Sequence, residues 1–107
     1  MSVIQVTTES PTFSTWIALV DLAEELQFIY PVMVKIELAS GVFVAECPTF
    51  DLFTTAETDE SALENLRCLL VEDYRSLLAD YPANLTPDAR SLLRLYCSFL
   101  GKDLPQP

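Results

Sequence analysis

Apolar and polar residues alternate along two consecutive segments in the middle of the chain. The segments cover residues 32–38 and 42–47, and Ala39-Ser40-Gly41 separates them. Because successive side chains of a strand point to opposite faces, each segment is predicted to be a strand with one apolar face. Gly41 suits a turn that needs a positive φ. The pattern therefore predicts a β-hairpin, followed by a third strand over Asp51 to Ala56.

The segment before this hairpin carries apolar residues at helical spacing. These residues are Phe13, Trp16, Ile17, Val20, Ala23 and Phe28. Ser10 and Pro11 suit the N-cap and first position of a helix, and residues 22–26 are good helix formers. We therefore predict a helix over residues 11–28 that ends at Tyr30-Pro31, in preference to a buried strand over 16–20. Residues 2–8 are predicted to form an edge strand.

Two further helices follow the third strand. Thr58-Asp59-Glu60 combines a cap with acidic residues at the positive end of the helix dipole, and the apolar face behind it extends to Leu78. This helix is predicted to pack on the sheet and to end near Tyr81-Pro82. The last helix begins at Thr86-Pro87-Asp88 and ends at Gly101.

The last helix has an unusually broad apolar arc. Its members are Leu92, Leu93, Leu95, Tyr96, Phe99 and Leu100. Either the N-terminal helix or a second subunit must cover this arc, and the sequence does not choose between them. Leu92, Leu93, Tyr96, Phe99 and Leu100 are therefore candidate interface residues of a homodimer or higher oligomer.

These elements predict one α+β domain over residues 1–107. A small antiparallel sheet of three or four strands packs against helices. Residues 30–80 form the core, residues 1–29 are an N-terminal extension with a strand and a helix, and residues 84–101 supply the C-terminal helix.

Charge narrows the range of partners. Sixteen acidic residues against six basic ones give a net charge of −10, and there is no histidine. Such a field repels phosphate, so we expect no binding of nucleic acid by the chain alone. A basic protein fits better, because complementary potentials steer association. The acidic residues could instead serve only to keep a small apolar domain in solution.

Cysteine usage and hydropathy point to the cytoplasm. Cys47, Cys68 and Cys97 are odd in number and widely spaced, which predicts buried free thiols in a reducing compartment. The longest apolar run, residues 16–20, is too short to cross a bilayer, and the N-terminus does not resemble a signal peptide. We expect no membrane association.

Catalytic signatures are scarce. The chain has no phosphate-binding glycine loop, no nucleophile elbow and no histidine base. Glu37, Glu46 and Asp51 could share a divalent metal only if they converged, and the alternation places the two glutamates on solvated faces. We therefore predict a protein that is not an enzyme and has no cofactor or metal.

Four short motifs resemble those of HicB-type antitoxin domains. They are Tyr30-Pro31, Ser40-Gly41, Ala45-Glu46-Cys47-Pro48 and residues 58–65, Thr-Asp-Glu-Ser-Ala-Leu-Glu-Asn. The resemblance covers Tyr30 to Leu78. It implies a degraded RNase H-like sheet that docks a small, basic, RNA-cleaving toxin and blocks its active site.

The chain departs from that family at two places. Loop glycines that are usual in the family are missing from residues 49–57. The C-terminal DNA-binding element of full antitoxins has no counterpart either, since the last helix offers only Arg90, Arg94 and nearby Lys102 as basic residues. Autorepression by DNA binding is therefore not expected.

Two function classes follow. The first is a HicB-like protein-binding module that neutralises a toxin-like basic partner through carboxylates near the sheet. The candidates are Glu37, Glu46, Asp51, Glu57 and Glu60. The second is a self-associating structural or adaptor domain without a toxin partner.

Overall fold

The fold consists of four strands followed by two helices. The computed structural model describes residues 13–104. The strands are β1 (Phe13–Asp21), β2 (Gln27–Ala39), β3 (Val42–Cys47) and β4 (Leu52–Ala56), and a 3-10 turn, Pro48–Phe50, separates the last two. The helices are α1 (Asp59–Asp80) and α2 (Pro87–Leu100). This arrangement confirms the predicted α+β class.

The four strands form one sheet in the order β1-β2-β3-β4. β2 and β3 are antiparallel, with Lys35 opposite Glu46 and Ile36 opposite Ala45. β3 and β4 are also antiparallel. The connection between β1 and β2 is too short for a crossover, so that pair is antiparallel as well. The predicted hairpin and third strand are confirmed, and β1 is the fourth strand.

The predicted N-terminal helix is wrong where the structure describes it. Residues 13–21 form β1, and Tyr30-Pro31 lies within β2 instead of ending a helix. Phe, Thr, Trp, Ile and Val are all frequent in strands, and their local preference prevails over the helical spacing. The residues Ser10 and Pro11 and the edge strand expected over residues 2–8 lie outside the described residues.

Residues 22–26, which were expected to be helical, form the turn between β1 and β2. Glu24 and Glu25 have φ values of 59° and 67°. The N–H of Leu22 donates to the carbonyl of Leu26, which closes the turn. Good helix formers therefore adopt a tight left-handed turn here, because the pairing of the flanking strands holds them.

Both helices begin as their sequences predict. The hydroxyl of Thr58 accepts from the N–H of Ser61, and the hydroxyl of Thr86 accepts from the N–H of Ala89. Gly101 ends α2 with φ +69°, a left-handed value that glycine adopts at low cost. In the part of the chain described, neither helix is long and apolar enough to cross a membrane.

Residue contacts divide the chain into two compact units. Their described residues are 13–18 with 33–66, and 19–32 with 67–104. In the first unit the buried side chains come from β2, β3, the 3-10 turn and the start of α1: Val34, Ile36, Ala45, Cys47, Phe50, Ala62 and Leu66. The single domain inferred from the sequence stays a prediction.

In the second unit, residues of β2 and α1 cover much of the apolar arc of α2. Phe28 and Tyr30 contact Phe99 edge to face, and Tyr74 packs against Tyr96. Leu93, Tyr96 and Leu100 are buried within the single chain, so these three candidate interface residues are not available to a second subunit. Leu92 and Phe99 are half-buried. The cover comes from a strand and a helix of the same chain, and not from an N-terminal helix.

Two of the three thiols lie in the core. Cys47 and Cys97 are buried as expected, whereas Cys68 is exposed, which corrects the prediction for that residue. Burial raises the pKa of the Cys47 thiol, although the backbone N–H groups of Phe50 and Thr49 partly offset this. Burial also raises the pKa of Cys97 and of the Tyr74 hydroxyl.

We predict that Tyr96→Phe lowers the free energy of unfolding by about 1–2 kcal/mol, because it removes a hydrogen bond to a carboxylate. The hydroxyl of Tyr96 donates to Oδ2 of Asp73 over 2.7 Å. Urea unfolding monitored by circular dichroism measures the loss. The matched control is Tyr30→Phe, whose ring is exposed, with an expected change below about 0.5 kcal/mol. Equal losses in the two variants would contradict the prediction.

We also predict that stability falls as the pH rises above about 9. A raised pKa means that the folded state holds its protons longer than the unfolded state, so the stabilisation is complete below the ordinary thiol pKa of about 8.5 and is lost above it. Urea unfolding from neutral to alkaline pH measures the decline, which should be shallower in a Cys47→Ala/Cys97→Ala variant. Cys68→Ala is the control and should leave the profile unchanged. A flat profile in the wild-type protein would refute the prediction.

Candidate functional site

The five candidate carboxylates do not form one cluster. Glu37 and Glu46 lie on β2 and β3, on the side of the sheet opposite to the buried Ile36 and Ala45. Three others lie elsewhere. Asp51 ends the 3-10 turn with φ 57°, Glu57 is exposed before α1, and Glu60 is in the first turn of α1.

The open face is the side of the sheet that carries Glu37 and Glu46. In the first unit it comprises Trp16, Met33, Lys35, Glu37, Val42, Val44, Glu46, Phe53 and Thr55. The register places Lys35, Glu46 and Phe53 side by side on β2, β3 and β4. Trp16 on β1 adjoins Lys35, whose Nζ lies 5.9 Å from the centre of the indole ring. Lys35, Glu46 and Phe53 therefore form one row across three strands, and Trp16 on β1 lies beside the Lys35 end of that row.

Large apolar side chains are exposed at both ends of this row. Trp16 is 51% exposed and Phe53 is 65% exposed, and Met33 between them is 45% exposed. Single exposed apolar residues are ordinary on protein surfaces, but several of them on one flat face typically mark an interaction surface. The open face has that character.

The charges at the centre of the open face are unequally paired. Nζ of Lys35 lies 3.2 Å from Oε2 of Glu37, and both side chains are partly shielded from solvent. Glu46 is exposed, and the described residues give it no ion pair. The cation–π contact with Trp16 and the ion pair with Glu37 together hold Lys35 flat against the sheet.

The acid-rimmed groove is a small cavity on the side of the sheet that carries the start of α1. Its volume is about 140 Å³, and its walls are Phe13, Thr15, Ile17, Ile36 and Leu63, with Asp59 and Glu60 at the rim. Apart from the hydroxyl of Thr15 the walls are therefore apolar, and the charged groups are all acidic. A cavity of about 150 Å³ accepts a group the size of benzene, so the groove can take one side chain.

Local helix chemistry places the two rim carboxylates. Oδ1 of Asp59 accepts from the N–H of Glu60, which fixes the first residues of α1. Both carboxylates lie in the first turn of α1, at the positive end of the helix dipole, where acidic residues stabilise a helix. Asp59 therefore contributes both to the start of α1 and to the groove.

A second cavity, in the other unit, has basic walls. It is lined by Leu85, Pro87, Arg90, Ser91 and Arg94 and has a volume of about 330 Å³. Nη2 of Arg90 donates to the carbonyl of Pro82, and its guanidinium lies over the ring of Tyr81. These contacts tie Arg90 to the chain between the helices, while its buried Nε has no hydrogen-bond partner within residues 13–104.

No three potential ligands converge on a metal position within residues 13–104. Glu37 and Glu46 lie on the open face, and Asp51 lies at the turn that follows β3. The expected lack of catalysis and of a cofactor stays a prediction.

The sequence pattern does not reveal the residues that complete these two surfaces. Trp16 falls within the predicted helix, which gives no indication of its position beside Lys35. Asp59 is predicted only as part of the start of a helix. The short continuous apolar run over residues 16–20, which is also typical of a strand, was the available signal at these positions.

No protein-family model matches the chain, and no curated protein or solved structure is significantly similar to it.

Proposed function

We propose that this chain is a non-enzymatic module that binds a basic protein, with the acid-rimmed groove as its principal contact. The observation that carries the proposal is the combination of apolar walls with carboxylates alone at the rim. A lysine or arginine side chain has the matching character, because its aliphatic stem can lie on an apolar surface while its charged end stays at the rim. The net charge of −10 adds long-range attraction for such a partner.

The groove favours a protein partner over a small cation. Apolar contact with Phe13, Ile17 and Leu63 stabilises a carbon chain, and it offers nothing to a hydrated ion. Glu57, two residues before Asp59, and Asp51 are exposed in the same unit and can contribute to the surrounding negative field. Each exposed carboxylate should contribute about 1 kcal/mol or less.

The resemblance to HicB-type antitoxins gives the proposal a specific form. The partner would be a small basic toxin that cleaves RNA, and the module would neutralise it. The order of hairpin, β4 and α1 agrees with the order of elements that the resemblance implies. This specific form depends on the four motifs of residues 30–65, whereas the binding of a basic protein depends on the groove.

We predict that Asp59→Asn/Glu60→Gln weakens capture of the partner roughly five- to tenfold, because it removes both rim charges and leaves the apolar walls in place. The immobilised protein is exposed to lysate from its native cells at low salt, captured proteins are identified by mass spectrometry, and the purified partner is titrated calorimetrically. Binding should weaken further as salt is added.

The matched control is Glu72→Gln/Asp80→Asn. It also neutralises one glutamate and one aspartate, but at exposed positions on α1 outside the groove. It should bind like the wild-type protein. If both double variants bind the partner equally weakly, only net charge matters, and the groove is rejected as the binding site. The proposal as a whole would be rejected if the captured protein is not basic, or if its binding does not depend on salt concentration.

A further inference from the structure

We propose that two copies of the chain associate face to face through the open face, about a twofold axis that runs along the strands between β2 and β3. This interface is separate from the acid-rimmed groove, which lies on the other side of the sheet in the same unit. The inference therefore goes beyond the proposed function and does not depend on it.

The order of residues across the sheet makes the open face complementary to itself. Such an axis places β2 of one copy over β3 of the other and β1 over β4. Lys35 then faces Glu46 of the second copy, and this contact occurs twice. The strand that carries Trp16 lies over the strand of the second copy that carries Phe53.

The position of Lys35 favours a second copy over a basic protein at this face, against the repulsion between two chains that each carry a net charge of −10. Lys35 would repel a basic partner at the centre, where Trp16 and Glu37 hold it in place. In the twofold arrangement each Lys35 lies between Glu37 of its own chain and Glu46 of the other. Glu46, which has no ion pair among residues 13–104, thereby gains a cation.

The apolar residues supply the attraction that exposed ion pairs cannot. Trp16 and Phe53 lie at opposite ends of the row, and large aromatic side chains contribute much of the binding free energy in protein interfaces. Strand spacing and rise give the face a width of roughly 15 Å in each direction. Two such faces bury roughly 450 Å² in total, well below the roughly 1,000 Å² of a stable interface, so the dimer should be weak and should dissociate readily on dilution.

Charge reversal with mixing tests this geometry. Lys35→Glu alone places two acidic groups opposite each other across the axis, and Glu46→Lys alone places two basic groups opposite each other. Each variant should remain monomeric in sedimentation velocity at concentrations where the wild-type chain dimerises. An equimolar mixture of the two variants should form a heterodimer, because both cross-axis pairs then regain opposite charges.

The mixture separates pairing between chains from pairing within a chain. Lys35 and Glu46 are also neighbours on β2 and β3 of the same chain, and neither variant keeps an opposite-charge pair there. Recovery of association in the mixture can therefore come only from contacts between chains. Glu72→Lys and Lys102→Glu, which are exposed and lie in the other unit, are the controls and should dimerise like the wild-type chain.

Fluorescence of Trp16 provides a second measurement, because it is the only tryptophan. Its emission should shift to shorter wavelength as the wild-type concentration rises, and Phe53→Ala should weaken the association at least about tenfold. A wild-type chain that is monomeric throughout, single variants that still dimerise, or a mixture that stays monomeric would each overturn the proposal. If the dimer is not found but the partner is still captured, only the dimer proposal fails. If the partner is not captured but the chain dimerises, only the groove proposal fails.

Discussion

Neighbouring side chains on a β-strand point to opposite faces, so a sheet that builds a core on one face must present its other residues on the second face. In the first unit Val34, Ile36 and Ala45 occupy the core face and are almost fully buried. Burial of such side chains contributes roughly 25 cal/mol per Å² of apolar surface removed from water. A register shift of one residue would exchange the two faces and expose the core-face side chains to water. The free energy lost with their burial opposes such a shift and so keeps every open-face residue in its position.

The same constraint determines how the acidic residues can act. It keeps Glu37 and Glu46 away from Asp59 and Glu60, which the start of α1 places beside the apolar walls of the groove. The result is two distinct surfaces in place of one acidic cluster. One combines apolar walls with an acidic rim, and the other carries opposite charges between two aromatic residues. They suit different occupants for electrostatic reasons, although both rely on apolar contact for affinity.

The sequence was sufficient where local signals agree with one another. Gly41 in the hairpin turn, Thr86 at the start of α2 and Gly101 at its end each satisfy a backbone requirement that few residues meet. It was insufficient over residues 13–26, where the apolar residues fit both helical spacing and a short buried strand. There the choice depends on pairing with β2, a contact between strands that local preference does not encode. The groove and the open-face row also depend on contacts between elements distant in the sequence. The sequence therefore identifies their carboxylates as candidates but does not indicate which of them lie on the same surface.

The sharpest test of the two-faced sheet compares Ile36→Ala with Met33→Ala in urea unfolding, under dilute conditions where the chain is monomeric. Both substitutions remove a large apolar side chain from β2, but Ile36 is 4% exposed and Met33 is 45% exposed. The account predicts that Ile36→Ala lowers the free energy of unfolding by about 2–5 kcal/mol and that Met33→Ala lowers it by less than about 1 kcal/mol. Similar losses in the two variants, or a larger loss for Met33→Ala, would contradict it.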